Sequence, residues 1–190
     1  MVQRSVRLLF CASVLLGSVA TGAWASGGAA LAADDLKNAQ VVGAWLKANR
    51  GSAPREQANQ FLALGERARR AGRWGAASKS FGESALLFPS PEALMAYGHA
   101  LLHERAATRA AASAPADRQH ADWQEIGALY STALAADDQL HTLKPALRAA
   151  LAADAGCLAK AAQGAADATN CAALRQYQAA LRAPAARPSK

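Results

Sequence analysis

Aromatic side chains make up only 6% of this 190-residue chain, and cysteine occurs three times. β-Branched residues are sparse as well. That composition argues against a sandwich or barrel, whose strands draw on Val, Ile, Thr and aromatics. Three cysteines and 14 glycines also set aside a disulfide-dense scaffold and collagen. Charged residues reach only 18% while hydrophobic residues reach 52%, too apolar a balance for a chain that stays unfolded. There is no C-x-x-C pair, no Gly-rich phosphate loop and no G-x-S-x-G nucleophile elbow. The carboxylates are scattered, and Asp34-Asp35 and Asp137-Asp138 read as caps or turns. No feature favours catalysis, and no cofactor is expected.

What the chain has in quantity is alanine, the strongest helix former. Punctuation by Gly and Pro divides it into helices. Asp34 or Asp35 can cap a helix running to about Asn49, ended by Gly51. A second runs from Ser52-Ala53-Pro54 to Ala71 and stops at Gly72, and a third from Arg73 to Phe88 stops at Pro89-Ser90-Pro91. A fourth starts at Pro91 and reaches about Ala112, followed by a loop over 112–117. A fifth covers about 119–136 and is interrupted by Asp137 and Asp138. A sixth begins near Thr142 with Pro145 in its first turn. After a turn over 164–169 a last helix runs to about Arg182. No strand-period segment of useful length appears. The expected class is all-α, with helices of this length packing as antiparallel hairpins.

The N-terminus reads as an address. Arg4 and Arg7 precede an uncharged stretch from Leu8 through Ala33, with A-x-A sites at Ala23-Trp24-Ala25 and Ala30-Leu31-Ala32. A basic start, a short apolar core and such a site describe a secretory signal peptide, here residues 1–25, with a second possible cut after Ala32. The competing reading, a membrane anchor, is weakened by Gly17, Gly22, Gly27 and Gly28 and by the short apolar core. Cleavage would leave no integral membrane span, and a periplasmic or secreted protein is expected. It would also leave Cys157 and Cys171, a disulfide candidate in an oxidising compartment or else two buried thiols. The net charge of +7 falls to +5 without Arg4 and Arg7, part of it in the tail at Arg182, Arg187 and Lys190. Export makes nucleic acid an unsuitable partner despite this basic balance. High alanine content with arginine preferred over lysine suggests a GC-rich bacterium.

Between 58 and 91 the chain carries Phe61, Leu64-Gly65, Ala68, Gly72, Ala77, Phe81, Ser84 and Pro89. This run resembles a tetratricopeptide repeat, a 34-residue helical hairpin with small and large residues at fixed offsets. Phe61 stands where that pattern prefers Trp, Ala68 where it prefers Tyr, and Ser84 where it prefers Ala. Gly65 and Ala77 lack bulk and let two helices approach, and Phe81 fills the space between them. Leu94, Tyr97-Gly98 and Leu101 repeat the first-helix pattern, and Ile126, Tyr130 and Ala133 the second, separated by an insertion or a lengthening of both helices near 106–121. The resemblance implies a short right-handed α-solenoid over 34–139, a C-terminal helical hairpin cap over 140–183 and a mobile tail over 184–190. Trp45, Phe61, Phe81, Phe88, Tyr97, Trp123 and Tyr130 are expected to be mainly core.

In such arrays the first helices of successive repeats line a concave groove for a peptide or partner helix. The resemblance places Asn59, Leu62, Glu66, Arg69 and Arg70 on that groove from one unit, and Glu92, Met95, His99, Leu102 and His103 from the next. For Arg67, Arg69, Arg70 and Arg73 a solvated helix end beside the dipole's negative pole is an equal reading. His99 and His103 have the four-residue spacing of a two-histidine metal pair, but no third ligand stands at a fixed spacing, and no metal site is expected. Two functional readings remain: an exported scaffold or adaptor that binds another envelope or secretion-system protein, and a small helical inhibitor or immunity-type protein that blocks one secreted enzyme.

Overall fold

The computed structural model describes residues 30–112, 117–165 and 171–183. The expected leader over 1–25, the tail over 184–190 and most of the turns over 112–117 and 164–169 lie outside these residues. Among the described residues the protein is all-helical. A 3-10 turn, Asp35–Lys37, precedes α1 (Ala39–Asn49), α2 (Arg55–Arg70), α3 (Trp74–Leu87), α4 (Pro91–Ala112), α5 (Asp117–Leu140), α6 (Pro145–Ala162) and α7 (Ala172–Arg182).

Two helix ends differ from expectation for local reasons. Asn38, not Asp34 or Asp35, caps α1: its Oδ1 accepts from the backbone N–H of Gln40 at 3.1 Å and of Val41 at 3.2 Å. Asp35 is occupied upstream, accepting from the Ala32 N–H at 2.8 Å within the 3-10 turn. Asp137 does not interrupt α5, which continues to Leu140. Its carboxylate instead gathers the chain beyond the helix, accepting from Thr142 N at 2.9 Å, Leu143 N at 2.8 Å and Arg148 Nη1 at 2.7 Å. It thereby ties the end of α5 to the start of α6, where Pro145 sits in the first turn. Gly72 takes a left-handed φ of +67° in the short turn between α2 and α3, a conformation that glycine reaches without steric cost.

Packing follows the small residues. Gly65 of α2 sits under the Phe81 ring of α3, while the Ser84 hydroxyl of α3 donates to the Ala58 carbonyl of α2 at 2.8 Å. These contacts run in opposite order along the two helices. The same relation joins α4 to α5, where Gly98 lies under Tyr130 and Arg109 pairs with Asp122. Gly127 of α5 lies against Leu158 of α6. A main core draws Val42 and Leu46 from α1, Leu94 and Leu102 from α4, and Ile126 and Leu129 from α5. A smaller core holds Ala68, Ala77, Phe81 and Ala100. Phe81, Phe88 and Tyr130 are buried as expected, whereas Trp45, Phe61, Tyr97 and Trp123 are only half-buried. Leu64 stays 45% exposed, because Gly65 and Ala68, not Leu64, form the close seam with α3.

The segment expected as an insertion is helical on both described sides: α4 spans 22 residues and α5 24. The last helix, α7, packs chiefly on α4 rather than on its sequence neighbour α6. A disulfide between Cys157 and Cys171, with Cα atoms 6.0 Å apart, fixes its start to α6.

Candidate partner-binding cleft

The residues assigned to a groove divide among three clefts, the core and, for Arg70, the open surface. Glu66 and Arg69 of α2, with Met95 and His99 of α4, line a central cleft of about 360 Å³. Leu147, Leu151 and Asp154 of α6 form its far wall, Tyr130 of α5 contributes to its lining, and Gln176 of α7 stands at its edge. Asn59, Leu62 and Glu92 lie in a second cleft of about 650 Å³ at the end of the molecule where α1 and α5 finish. There Arg55 places its guanidinium 4.4 Å from the centroid of the Phe88 ring and donates to the Arg50 carbonyl at 2.9 Å. His103 lines a third cleft, of about 660 Å³, with Trp74, Ala107 and Ala111, closed on one side by Ala180 and Ala183 beside and beyond the end of α7. Arg70 is exposed and lines none of these three.

Leu102 is a correction. It is completely buried in the main core and offers no surface to a partner. The resemblance put it beside His103 on the groove, but one residue along a helix is a turn of about 100°. With His99 and His103 open to the clefts, Leu102 faces inward.

Charge in the central cleft is organised within α2. Arg69 donates to Glu66 Oε2 from Nη2 at 2.8 Å and from Nε at 3.1 Å, a pair on successive turns. Arg67 donates back to the Ala63 carbonyl at 3.4 Å, which suits the solvated helix-end reading for that residue. Across the cleft, Asp154 is engaged as well: its Oδ1 accepts from Ala173 N at 3.0 Å, anchoring the first turn of α7.

The two histidines belong to an aromatic cluster that spacing alone did not reveal. His103 stacks on Trp74 with ring centroids 3.9 Å apart, and His99 meets both rings edge-on, at 5.7 Å from Trp74 and 4.8 Å from His103. Burial, reinforced by the neighbouring His99, pushes His103 down to about 4. Burial and the charge of Arg69 also lower His99, against a smaller opposing effect from its hydrogen bond with Gln176. Both rings are therefore neutral at pH 7. Among the described residues no three His, Cys, Asp or Glu side chains gather as a metal set.

The chain matches no protein-family model, no curated protein and no solved structure. Among the described residues no helix is long and apolar enough to cross a membrane. Sequence reasoning did not foresee Trp74, Leu147, Asp154 and Gln176 at these clefts. That Trp74 stacks on His103, and that the large apolar Leu147 is left 41% exposed, depend on which elements are neighbours.

Proposed function

We propose that this chain is an exported helical adaptor that binds a segment of another envelope protein in the cleft between α2, α4 and α6. The arrangement read into the sequence, stacked antiparallel hairpins resembling tetratricopeptide repeats, has its first helices at α2 and α4, and α6 belongs to the hairpin expected as a cap. The observation that carries the reading is the composition of the central cleft. One wall presents exposed Leu147, the opposite wall the Glu66–Arg69 pair, and Met95 with neutral His99 lies between them. An apolar surface with a few fixed polar groups can take the apolar face of a peptide or helix. Export is supported by the Cys157–Cys171 bridge, since disulfides persist in oxidising compartments. Leu31, only 9% exposed and packed with the main core, favours cleavage after Ala25 over a cut after Ala32 that would remove it.

The test is a photo-crosslinking amino acid placed at Leu147, and separately at Met95, in cells of the native host. The expected result is one discrete crosslinked protein from both positions, lost when Arg69 is changed to Glu. Monomer alone at both positions, in folded protein, overturns the reading.

A further inference from the structure

The cleft lined by His103 differs from the other two in its charge. Among the described residues that line it, Glu104 alone is charged, and no lysine or arginine takes part. The other clefts hold both signs: Glu66, Arg69 and Asp154 in the central one, Arg50, Arg55 and Glu92 in the second. The volume of the His103 cleft, about 660 Å³, is that of a small-molecule site.

Glu104 follows His103 on α4 and is half-buried. The Ser78 hydroxyl of α3 donates to its Oε2, while Oε1 has no donor and no cation beside it among the described residues. Gly75 leaves room there, since even a Cβ at that position would come no nearer than 3.4 Å to Oε1. A carboxylate partly withdrawn from water attracts a cation more strongly than one in open solvent. Next to it, half-buried Trp74 carries His103 stacked at 3.9 Å. His103 is uncharged at pH 7, so it supplies a second aromatic ring and no cation of its own. The remaining lining is Gly72, Gly75, Thr108 and alanines of α4 and of the end of α7. The Thr108 hydroxyl is spent on the Glu104 carbonyl at 2.9 Å. The cleft thus offers a carboxylate oxygen, an aromatic face and methyl groups. A metal ion needs several oxygen or nitrogen ligands, and among the described residues no such set gathers. An alkylated ammonium needs none of them. Charge, an aromatic face and contact of its alkyl groups with methyls are enough to hold it.

We propose that this cleft is a binding site for a small organic cation, an alkylammonium whose charge lies against Glu104 and Trp74 and whose alkyl groups lie on the alanines of α4. The same inventory selects against zwitterions. An attached carboxylate or phosphate would enter a cleft with no lysine or arginine to receive it, and would meet Glu104 instead. A free cation therefore fits, and a zwitterionic lipid headgroup does not. The site is independent of the adaptor reading, which concerns the central cleft.

The test titrates choline against the full chain. Two controls accompany it: the uncharged alcohol in which a tert-butyl group replaces the trimethylammonium, and betaine, which adds a carboxylate. Binding is read by proton NMR from the methyl resonance, which an indole face above it shifts upfield. The expected result is a saturable shift for choline and binding at least about tenfold weaker for the alcohol and for betaine. Glu104→Gln keeps an acceptor for Ser78 and removes only the charge, and it should weaken choline by about tenfold. Ala107→Leu, at an exposed position outside the core, should block the cleft and abolish the shift. A choline resonance that does not move overturns the proposal. So does an alcohol bound as tightly as choline, which would make the cleft merely apolar, or betaine bound as tightly, which would place the cation at another site. Undiminished binding by Glu104→Gln does the same. If Glu104→Gln fails to fold, the three ligands on the unaltered chain decide the matter by themselves.

Discussion

Gly65 and Phe81 touch so closely that a Cβ at position 65 would lie 2.5 Å from two carbons of the Phe81 ring. That ring is completely buried and cannot swing away. Gly65→Ala therefore sets two effects against each other. Alanine is better than glycine inside a helix by about 1 kcal/mol. Overpacking a tight core costs about 1–3 kcal/mol. The overlap here involves a ring with no free space, so the steric term is at its upper end, and a net loss of about 1–2 kcal/mol is expected in urea unfolding. Gly43, with nothing within 4 Å of an added Cβ, is the control: Gly43→Ala should be neutral or stabilising.

Phe81 itself fills the interface of α2, α3 and α4 together with Ala68, Ala77 and Ala100. All three of those neighbours are alanines, which cannot reach into a void. Phe81→Ala should therefore cost about 3–5 kcal/mol, most of it uncompensated by collapse. A variant that melts with the parent would show that this helix pair does not pack as described.

Helix ends marked by Gly72, by Pro89-Ser90-Pro91 and by Pro145 were legible because each residue restricts its own backbone. Gly65, Ala77 and Phe81 were legible too, since close approach needs small residues at a fixed spacing. What a side chain meets after the elements assemble was not. Leu102 and His103 are sequence neighbours, yet one is core and the other lines a cleft, and only the placement of α7 and α3 decides it. Asp137 reads as a breaker in a window of ten residues; its partners Thr142, Leu143 and Arg148 lie one element further on. The docking of α7 on α4, which shapes the candidate site most, has no local signature at all.

Asp137 offers a stability test with a pH signature. Burial by itself would raise its carboxyl, but the hydrogen bonds from Leu143 N, Arg148 and Thr142 N outweigh it and hold the group below its ordinary 3.8. A depressed value means the stabilisation is complete above the unfolded value and is lost as pH falls through the lower folded one. Asp137→Ala, which orphans two backbone donors and a guanidinium, should cost about 2–3 kcal/mol at pH 7. The same change at Asp138, whose side chain is 59% exposed, should cost less than about 1 kcal/mol. Equal losses at the two positions would mean the Asp137 hydrogen bonds contribute nothing.

The bridge between Cys157 and Cys171 closes a loop with a sequence separation of 14. Loop-closure entropy for that length corresponds to about 3 kcal/mol of stabilisation. Guanidinium unfolding with and without dithiothreitol should show a loss of this order on reduction. An unchanged midpoint would mean that the closed loop contributes nothing to stability.

His103 contributes to the pH dependence of stability on the acid side. Its folded value of about 4 lies below the 6.5 of an exposed histidine, because burial among Trp74 and His99 disfavours the cation. The neutral ring's contribution is therefore complete above pH 6.5 and declines as pH falls toward 4. Across that window the unfolded chain binds a proton that the native chain refuses, so stability should fall with pH from this site, by less than the full linkage slope because the half-exposed ring is screened by solvent. His99, lowered by burial and by Arg69, acts in the same direction. His103→Gln should flatten the curve of unfolding free energy between pH 6.5 and 5, above the range where carboxylates titrate. It should also leave Trp74 without its stacking partner, seen as a shift in tryptophan emission. An unchanged slope in the variant would show that His103 protonates freely in the native state, and with it that the aromatic cluster beside α7 is open to water.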